Sequence, residues 1–210
     1  MSHFPRPLRR ALGAAALLAL PACATLDRDE CLNADWRTIG YEDGVAGHPA
    51  GRIGRHRRAC AQYGVKPDLA AYTAGREAGL RVYCRPANGY RVGLKGGIYR
   101  NVCPPDLAGP FEEAYAYGRR LYRLDSEISR MNSRRIGLYD ALAEVREDIA
   151  AHEAELVTHG VTPARRARLL EELKALTARA ADMEHELAAL DQDIAAAREE
   201  RRALAAGARW

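Results

Sequence analysis

Residues 121–156 read LYRLDSEISRMNSRRIGLYDALAEVREDIAAHEAEL, and their apolar side chains recur at alternating steps of three and four. This spacing is typical of a long amphipathic helix that packs along one stripe, as in a coiled coil. The two interleaved heptad series are Leu121, Ile128, Arg135, Leu142, Ile149 and Leu156, and Leu124, Met131, Leu138, Val145 and His152.

The same pattern restarts after Gly160-Val161-Thr162-Pro163. Gly160 suits a helix C-cap, Thr162 an N-cap and Pro163 the first turn of a second helix. The second helix has the series Leu169, Leu176, Met183, Leu190, Ala197 and Leu204, interleaved with Leu173, Ala180, Leu187, Ile194 and Arg201. We therefore predict that residues 111–207 form a long antiparallel helical hairpin, a coiled coil. Because two helices cover only one stripe of each other, a homodimer through the hairpin stays open.

Residues 31–110 differ in composition, since they hold four of the five cysteines, many glycines and a formal charge of +6. Capping residues predict helices from Asn33 or Asp35 to about Gly47, over residues 52–63, and from Asp68 to about Tyr83. Residues 88–101, NGYRVGLKGGIYRN, have short apolar runs between glycines, which indicates a small β-hairpin. The predicted fold is mainly α, with a small disulfide-stapled α+β head followed by the hairpin.

Two glycine pairs in the head, Gly40 with Gly44 and Gly75 with Gly79, lie four residues apart. On a helix such pairs share one face and allow a neighbouring backbone to approach closely. The string Ala71-Tyr-Thr-Ala-Gly-Arg76 also recurs as Ala114-Tyr-Ala-Tyr-Gly-Arg119. We interpret this short echo as a shared packing face rather than as a duplication.

Residues 1–22 have the features of a signal peptide: three arginines, the apolar run ALGAAALLAL and then Leu20-Pro21-Ala22 before Cys23. The tetrapeptide that ends at Cys23 resembles the bacterial lipobox, in which the cysteine is lipidated. We predict lipidation at Cys23 and a lipid tether over residues 23–30. The alternative is an ordinary secretory signal followed by an unrelated cysteine.

The remaining cysteines, Cys31, Cys60, Cys84 and Cys103, are even in number, which predicts two disulfides in an oxidising compartment. Three pairings are possible, and we favour the sequence-local one, Cys31 with Cys60 and Cys84 with Cys103. Gaps of 29, 24 and 19 residues do not resemble the close ligand pairs of zinc sites, so no metal is expected.

Removal of the leader, which carries Arg6, Arg9 and Arg10 and no acid, lowers the formal net charge from +4 to +1. That value is too small for sequence-independent nucleic-acid binding, so no nucleic-acid partner is expected. The main basic cluster of the head consists of Arg52, Arg55, Arg57 and Arg58. It is a candidate site for phosphates or carboxylates, and the alternative is a solvated helix face.

Candidates for catalysis are few, so we predict that the protein is not an enzyme and needs no cofactor. His152-Glu153 and His185-Glu186 lack the second histidine of an H-E-x-x-H zinc motif. Glu42 and Asp43 are neighbours on a predicted helix and would point about 100° apart. The serines that follow Cys23 are confined to the first long helix, at Ser126, Ser129 and Ser133.

A specific order of cysteine, glycine and aromatic landmarks runs through the head. The landmarks are Cys31, Asp35-Trp36, Ile39-Gly40-Tyr41-Glu42-Asp43-Gly44, Cys60, Tyr63-Gly64-Val65, Pro67-Asp68, Tyr72, Gly75-Arg76, Gly79-Leu80, Tyr83-Cys84, Pro86, Asn88-Gly89-Tyr90, Gly93, Gly96, Tyr99 and Val102-Cys103-Pro104. Over about residues 20–125 this order resembles the Gram-negative lipoprotein family called domain of unknown function 2799. The resemblance implies a lipid-anchored envelope protein and supplies no catalytic residues.

From these features we expect an envelope protein anchored to a membrane through Cys23, on the periplasmic side. Ala24 rather than aspartate after the lipidated cysteine favours the outer over the inner membrane. The expected role is a non-enzymatic binding or scaffold module whose partner is an envelope protein or peptidoglycan. The alternative is a cell-wall-acting enzyme or an activator of one, with Glu42 or Asp43 transferring protons.

Overall fold

A computed structural model describes residues 26–210 and contains, over that range, seven α-helices, one 3-10 turn at Ala50–Arg52 and no strand. The helix bounds are α1 Arg28–Leu32, α2 Trp36–Val45, α3 Ile53–Ala61, α4 Leu69–Tyr83, α5 Pro86–Leu94, α6 Pro105–Leu156 and α7 Pro163–Ala206. No helix in the described part is both long and apolar enough to cross a membrane. The predicted signal peptide and Cys23 lie outside the described residues.

Helix starts in the first half of the head follow the predicted caps. The Asp35 carboxylate accepts hydrogen bonds from the backbone amides of Arg37 and Thr38, and the Asp68 carboxylate accepts one from Ala71. These bonds satisfy amides that have no partner inside the helix. Residues 27–30, predicted as part of the tether, are already folded, because Asp27 caps α1 and Leu26 is buried against the head.

The predicted β-hairpin over residues 88–101 is wrong, because Pro86–Leu94 forms the helix α5. Pro86 occupies the first turn, where the missing amide costs nothing. Gly89 and Gly93 are four residues apart on one face of α5 and let it contact the backbone of α6 at Phe111 and Tyr115. The glycines that suggested a strand turn therefore serve a helix contact instead.

The head consists of two copies of one helix pair, α2 with α4 and α5 with the start of α6. Gly40, Gly44 and Gly47 in the first pair correspond to Gly89, Gly93 and Gly96, each 49 positions later. A side chain at Gly44 would collide with the α4 backbone, and one at Gly93 with the α6 backbone. Gly47 and Gly96 both have positive φ, of 68° and 74°, and their Cα atoms pack against the rings of Tyr83 and Tyr122 respectively.

The second helices of the two pairs correspond with a shift of 39 residues. The equivalent positions are Tyr72 and Phe111, Gly75 and Ala114, Arg76 and Tyr115, Gly79 and Gly118, and Tyr83 and Tyr122. Each pair carries one disulfide, Cys31–Cys60 in the first and Cys84–Cys103 in the second, which is the sequence-local pairing. In each helix pair, the disulfide links the segment before the first helix to the segment before the second helix.

The two helix pairs therefore repeat one contact pattern, but the hexapeptide echo does not lie in the register of that repeat. The echo aligns Tyr72 with Tyr115, a shift of 43 residues, whereas the helices superpose their contacts at a shift of 39. The repeat is visible instead in the spacing of the glycines and of the two tyrosines that pack on the last glycine of each pair, Tyr83 and Tyr122.

Helix α6 continues without a break from the head into the hairpin. The composition changes at Gly109-Pro110, but Pro110 lies inside α6, and α6 packs on α5 as far as Gly118. The hydrogen bond lost at Pro110 is offset by the packing of the next residue, Phe111, which is fully buried. The head therefore extends beyond residue 110 to about Tyr122.

Helices α6 and α7 lie antiparallel, as a series of ion pairs along their length demonstrates. Early α6 residues pair with late α7 residues (Arg120–Glu200, Asp125–Arg201), and Glu155 near the tip pairs with Arg165. Thr162 caps α7 as predicted. Leu142, Val145, Ala180 and Leu187 are buried between the two helices, so this seam is filled within one chain. A heptad supercoil and a homodimer stay predictions.

Candidate functional site

The most polar buried place in the described part of the chain lies in the first repeat. Asp43, on α2, accepts hydrogen bonds from the Tyr72 hydroxyl at 2.7 Å and from His56 Nε2 at 2.8 Å, both at Oδ2. Its other oxygen lies 3.6 Å from Arg52 Nε. All three hydrogen-bonded side chains are less than a tenth exposed, which makes this a pre-formed polar cluster.

Burial, hydrogen bonds and neighbouring charges determine the protonation states of Asp43 and Tyr72. Burial acts to raise the pKa of the Asp43 carboxyl, but the hydrogen bonds from His56 and Tyr72 and the charge of Arg52 outweigh it and hold that pKa below 3.8. Burial and the bond to Asp43 raise the pKa of the Tyr72 hydroxyl well above its ordinary value. Asp43 is therefore an anion and Tyr72 neutral at pH 7.

A basic cleft of about 200 Å³ lies beside this cluster and is lined by His48, Pro49, Gly51, Arg52, Arg55 and Arg100. Of the four arginines predicted to bind anions, the cleft contains Arg52 and Arg55. Arg57 and Arg58 line other surface pockets beside the same helix. His48 and Arg100 were missed, since His48 is placed by its contact with Arg76 of α4 and Arg100 by the packing of the second repeat.

The turn that carries His48 is held in place by Arg76 of α4. Both Nε and Nη2 of Arg76 donate to the His48 carbonyl, at 3.1 and 2.9 Å. Burial, together with the charges of Arg52, Arg100 and Arg55, lowers the pKa of the His48 imidazole. His48 is therefore mostly neutral at pH 7, and an anion bound in the cleft would favour its protonated form.

Residues 35–120 match the family model described as a protein of unknown function (DUF2799). We call this matched range the DUF2799 domain. No curated protein and no solved structure matches the chain. The matched range begins at the N-cap of α2 and ends two residues before Tyr122, so the DUF2799 domain coincides with the pair of repeats. The far part of the hairpin lies outside it.

The two repeats of the DUF2799 domain differ at the polar cluster. The position of Asp43 is occupied in the second repeat by Val92, and that of Tyr72 by Phe111. Val92 and Phe111 belong to one apolar cluster with Leu80 and Tyr83. Since the same helix pair packs with apolar residues at these positions, the fold itself does not require the charge of Asp43.

The arrangement in the DUF2799 domain does not bring the two predicted acid–base residues, Glu42 and Asp43, together. Glu42 is exposed and Asp43 is buried, so the two carboxylates do not converge on one point. A general base must lie within hydrogen-bond reach of its substrate, whereas Asp43 already has its oxygens directed at partners inside the fold. All four cysteines of the head are bonded in the two disulfides. In the hairpin, His152 lies 3.3 Å from Glu172.

Proposed function

We propose that this chain is a lipid-anchored protein of the cell envelope whose DUF2799 domain is a non-enzymatic binding module and whose hairpin is a scaffold. The observation that carries the proposal is the cysteine arrangement. Four cysteines form two disulfides inside the domain, and the fifth, Cys23, directly follows an apolar leader. Disulfides persist in oxidising compartments such as the periplasm.

The position of the head relative to Cys23 supports a role at the membrane surface. Leu26 already packs against Cys31 and Trp36 in the core of the first repeat. Only Ala24 and Thr25 separate it from Cys23. A lipidated Cys23 would hold the DUF2799 domain against the lipid headgroups on the periplasmic side, in the outer membrane by the preference that Ala24 indicates.

The binding role is supported by the basic cleft, and an envelope protein, a headgroup or peptidoglycan could supply the anionic group. The alternative, a cell-wall-acting enzyme or an activator of one, has less support. Of its two candidates for proton transfer, Asp43 is 7% exposed and is engaged by Tyr72 and His56, and Glu42 is exposed and does not converge on it.

The anchor is tested by Cys23→Ser in the native host. We expect the wild-type protein to sediment with membranes and the variant to move to the soluble periplasmic fraction, because several acyl chains bind a bilayer firmly and none remains. Ala24→Ser, one residue away, is the matched control and should still sediment. Mass spectrometry of the mature N-terminus should find acyl chains on wild type and control alone. Absence of acyl chains from the wild-type mature N-terminus would contradict the anchor.

A further inference from the structure

We propose that the cleft between the His48–Arg52 turn and Arg100 is a phosphate-binding site, with Arg52, Arg55 and Arg100 as its ligands. The ligand class is a phosphomonoester, either on a small soluble molecule or on a lipid headgroup. This inference names the ligand of the binding module proposed above and rests on that proposal for its cellular setting.

Charge is the first argument. Three guanidinium groups line the cleft and stay protonated at every physiological pH. One carboxylate, that of Asp43, lies near them, 3.6 Å from Arg52 Nε. Within residues 26–210 neither Arg55 nor Arg100 forms an ion pair. The cleft therefore carries about two positive charges without a counter-charge, which matches the charge of a phosphomonoester at pH 7.

Size and geometry favour phosphate over carboxylate. A volume of about 200 Å³ is smaller than the roughly 300–1,000 Å³ of sites that enclose a whole small molecule. The cleft fits one charged group with its nearest substituents. A phosphomonoester offers three terminal oxygens to three guanidinium groups, whereas a carboxylate offers two.

The cleft is also built on fixed elements. Arg52 faces Asp43, whose other oxygen is held by His56 and Tyr72. Arg100 follows Tyr99, which packs on Phe111 and whose hydroxyl accepts a hydrogen bond from the Cys103 amide. Cys103 is itself tied to Cys84. Arg52 is thus oriented before an anion binds, which lowers the conformational cost of binding at this position.

The comparison of the repeats provides an independent argument. Packing of the second helix pair is achieved with Val92 and Phe111 at the positions of Asp43 and Tyr72. The first repeat alone combines a buried carboxylate with the arginine-rich turn at Arg52 and Arg55. Since helix packing does not demand the buried charge, its presence next to these arginines indicates that it orients Arg52 for a ligand.

The test uses the mature chain, residues 23–210, with Cys23→Ser, which lacks the apolar leader, carries no acyl chain and keeps every described residue. Calorimetric titration with inorganic phosphate at fixed ionic strength should give saturable binding at one site, and acetate should bind at least tenfold more weakly. Arg55→Gln and Arg100→Gln should each weaken phosphate binding about tenfold, as expected for the loss of one charged hydrogen bond. Arg58→Gln, on the same helix but outside the cleft, is the matched control and should stay within about twofold of the parent.

His48 gives a second readout, because phosphate bound beside it should raise the pKa of its imidazole in an NMR titration. The rise should persist in Arg58→Gln and disappear in Arg55→Gln, an exposed helix position that should not disturb folding. Equal affinities for acetate and phosphate, equal effects of Arg55→Gln and Arg58→Gln, or no phosphate binding would each overturn the proposal.

A vesicle arm separates the two sources. Phosphatidylcholine vesicles containing one fifth phosphatidic acid should retain the chain if the ligand is a headgroup, and pure phosphatidylcholine vesicles should not. Phosphate binding without retention assigns a soluble phosphomonoester. The envelope proposal fails separately, if mass spectrometry finds no acyl chain on the wild-type Cys23, and that outcome leaves phosphate binding measurable.

Discussion

At the scale of single residues, Asp43 combines burial with a full negative charge. A buried carboxylate is costly unless several donors stabilise it. Here the donors are His56 and Tyr72, and Arg52 adds its charge. The side chain therefore links the packing of the first repeat to the arginines of the cleft.

Asp43→Asn should lower the free energy of unfolding by about 2 kcal/mol at pH 7, since hydrogen bonds to a buried charge are lost. The pKa of Asp43 in the folded protein lies below 3.8, so its stabilisation is present above that pH and is lost as the pH falls through the folded value. Urea unfolding at pH 7 and at pH 3 should therefore give a smaller difference between variant and wild type at pH 3. Exposed Glu42→Gln is the control, and a difference independent of pH would contradict this role.

Part of the cleft could be predicted from the sequence. Arg52 and Arg55 are three residues apart and share a helix face, so a local pattern brings them together. Arg58 is also three residues from Arg55, so sequence spacing alone could not exclude it, and Arg57 was included because it belongs to the same cluster. Arg100 could not be found, since 45 positions separate it from Arg55 and their approach depends on the packing of both repeats. Asp43 could have been found by comparing GYEDGVAG, which begins at residue 40, with GYRVGLKG, which begins at residue 89, because a charged residue stands where the second stretch has Val92.

At the scale of helices, both repeats depend on glycine faces that bring two backbones into contact. In the first pair, Gly40 and Gly44 of α2 face Gly75 and Gly79 of α4. In the second, Gly89 and Gly93 face the α6 segment around Gly118. The close approach replaces side-chain interdigitation with contact between the helix backbones themselves.

Gly79→Ala should destabilise the head by about 3 kcal/mol, because the added Cβ would collide with the Tyr41 carbonyl and neither backbone can yield locally. Gly137→Ala is the matched control, a helical glycine in α6 with open space around it. It should raise the free energy of unfolding by about 1 kcal/mol through helix propensity. Thermal unfolding should show a lower melting temperature for Gly79→Ala and a higher one for Gly137→Ala. Equal effects of the two substitutions would rule out the glycine contact.

Helix starts were predictable where a side chain caps them, as at Asp35, Asp68 and Thr162. Helix α5 was not, because NGYRVGLKGG combines low helix propensity with apolar alternation, and its helical state depends on the α6 surface. The two long helices were predictable because their stripe repeats over many turns and needs no tertiary information.

At the scale of the whole molecule, the head and the hairpin are stabilised differently. The head combines short helices with two disulfides that close spans of 29 and 19 residues. The hairpin beyond Tyr122 has no cysteine and relies on its apolar seam and on ion pairs such as Arg135–Asp191. The two parts share α6, and Tyr117 donates a hydrogen bond to the carbonyl of Leu204 near the end of α7.

Replacing both cysteines of either disulfide by serine should lower the free energy of unfolding of the head by about 3 kcal/mol, the estimate for loop closure. Hydrogen exchange should accelerate in α4 for Cys31→Ser with Cys60→Ser. Amides of α7 around Leu187, far from both bonds, should keep the rate of wild type. Equal acceleration in α4 and in the middle of α7 would show that the two parts unfold as one unit.

The unbroken course of α6 from the head to the tip also has a mechanical consequence. From Tyr122 to Leu156 it contains 35 residues, and their Cα atoms rise by about 51 Å at 1.5 Å per step. Ion pairs with helix α7 along that length stiffen α6. The hairpin therefore acts as a rigid arm that extends from the domain containing the basic cleft. A rotation of the head by about 10° would move the tip of the hairpin by about 9 Å. A force applied at the tip would in turn exert a torque on the head.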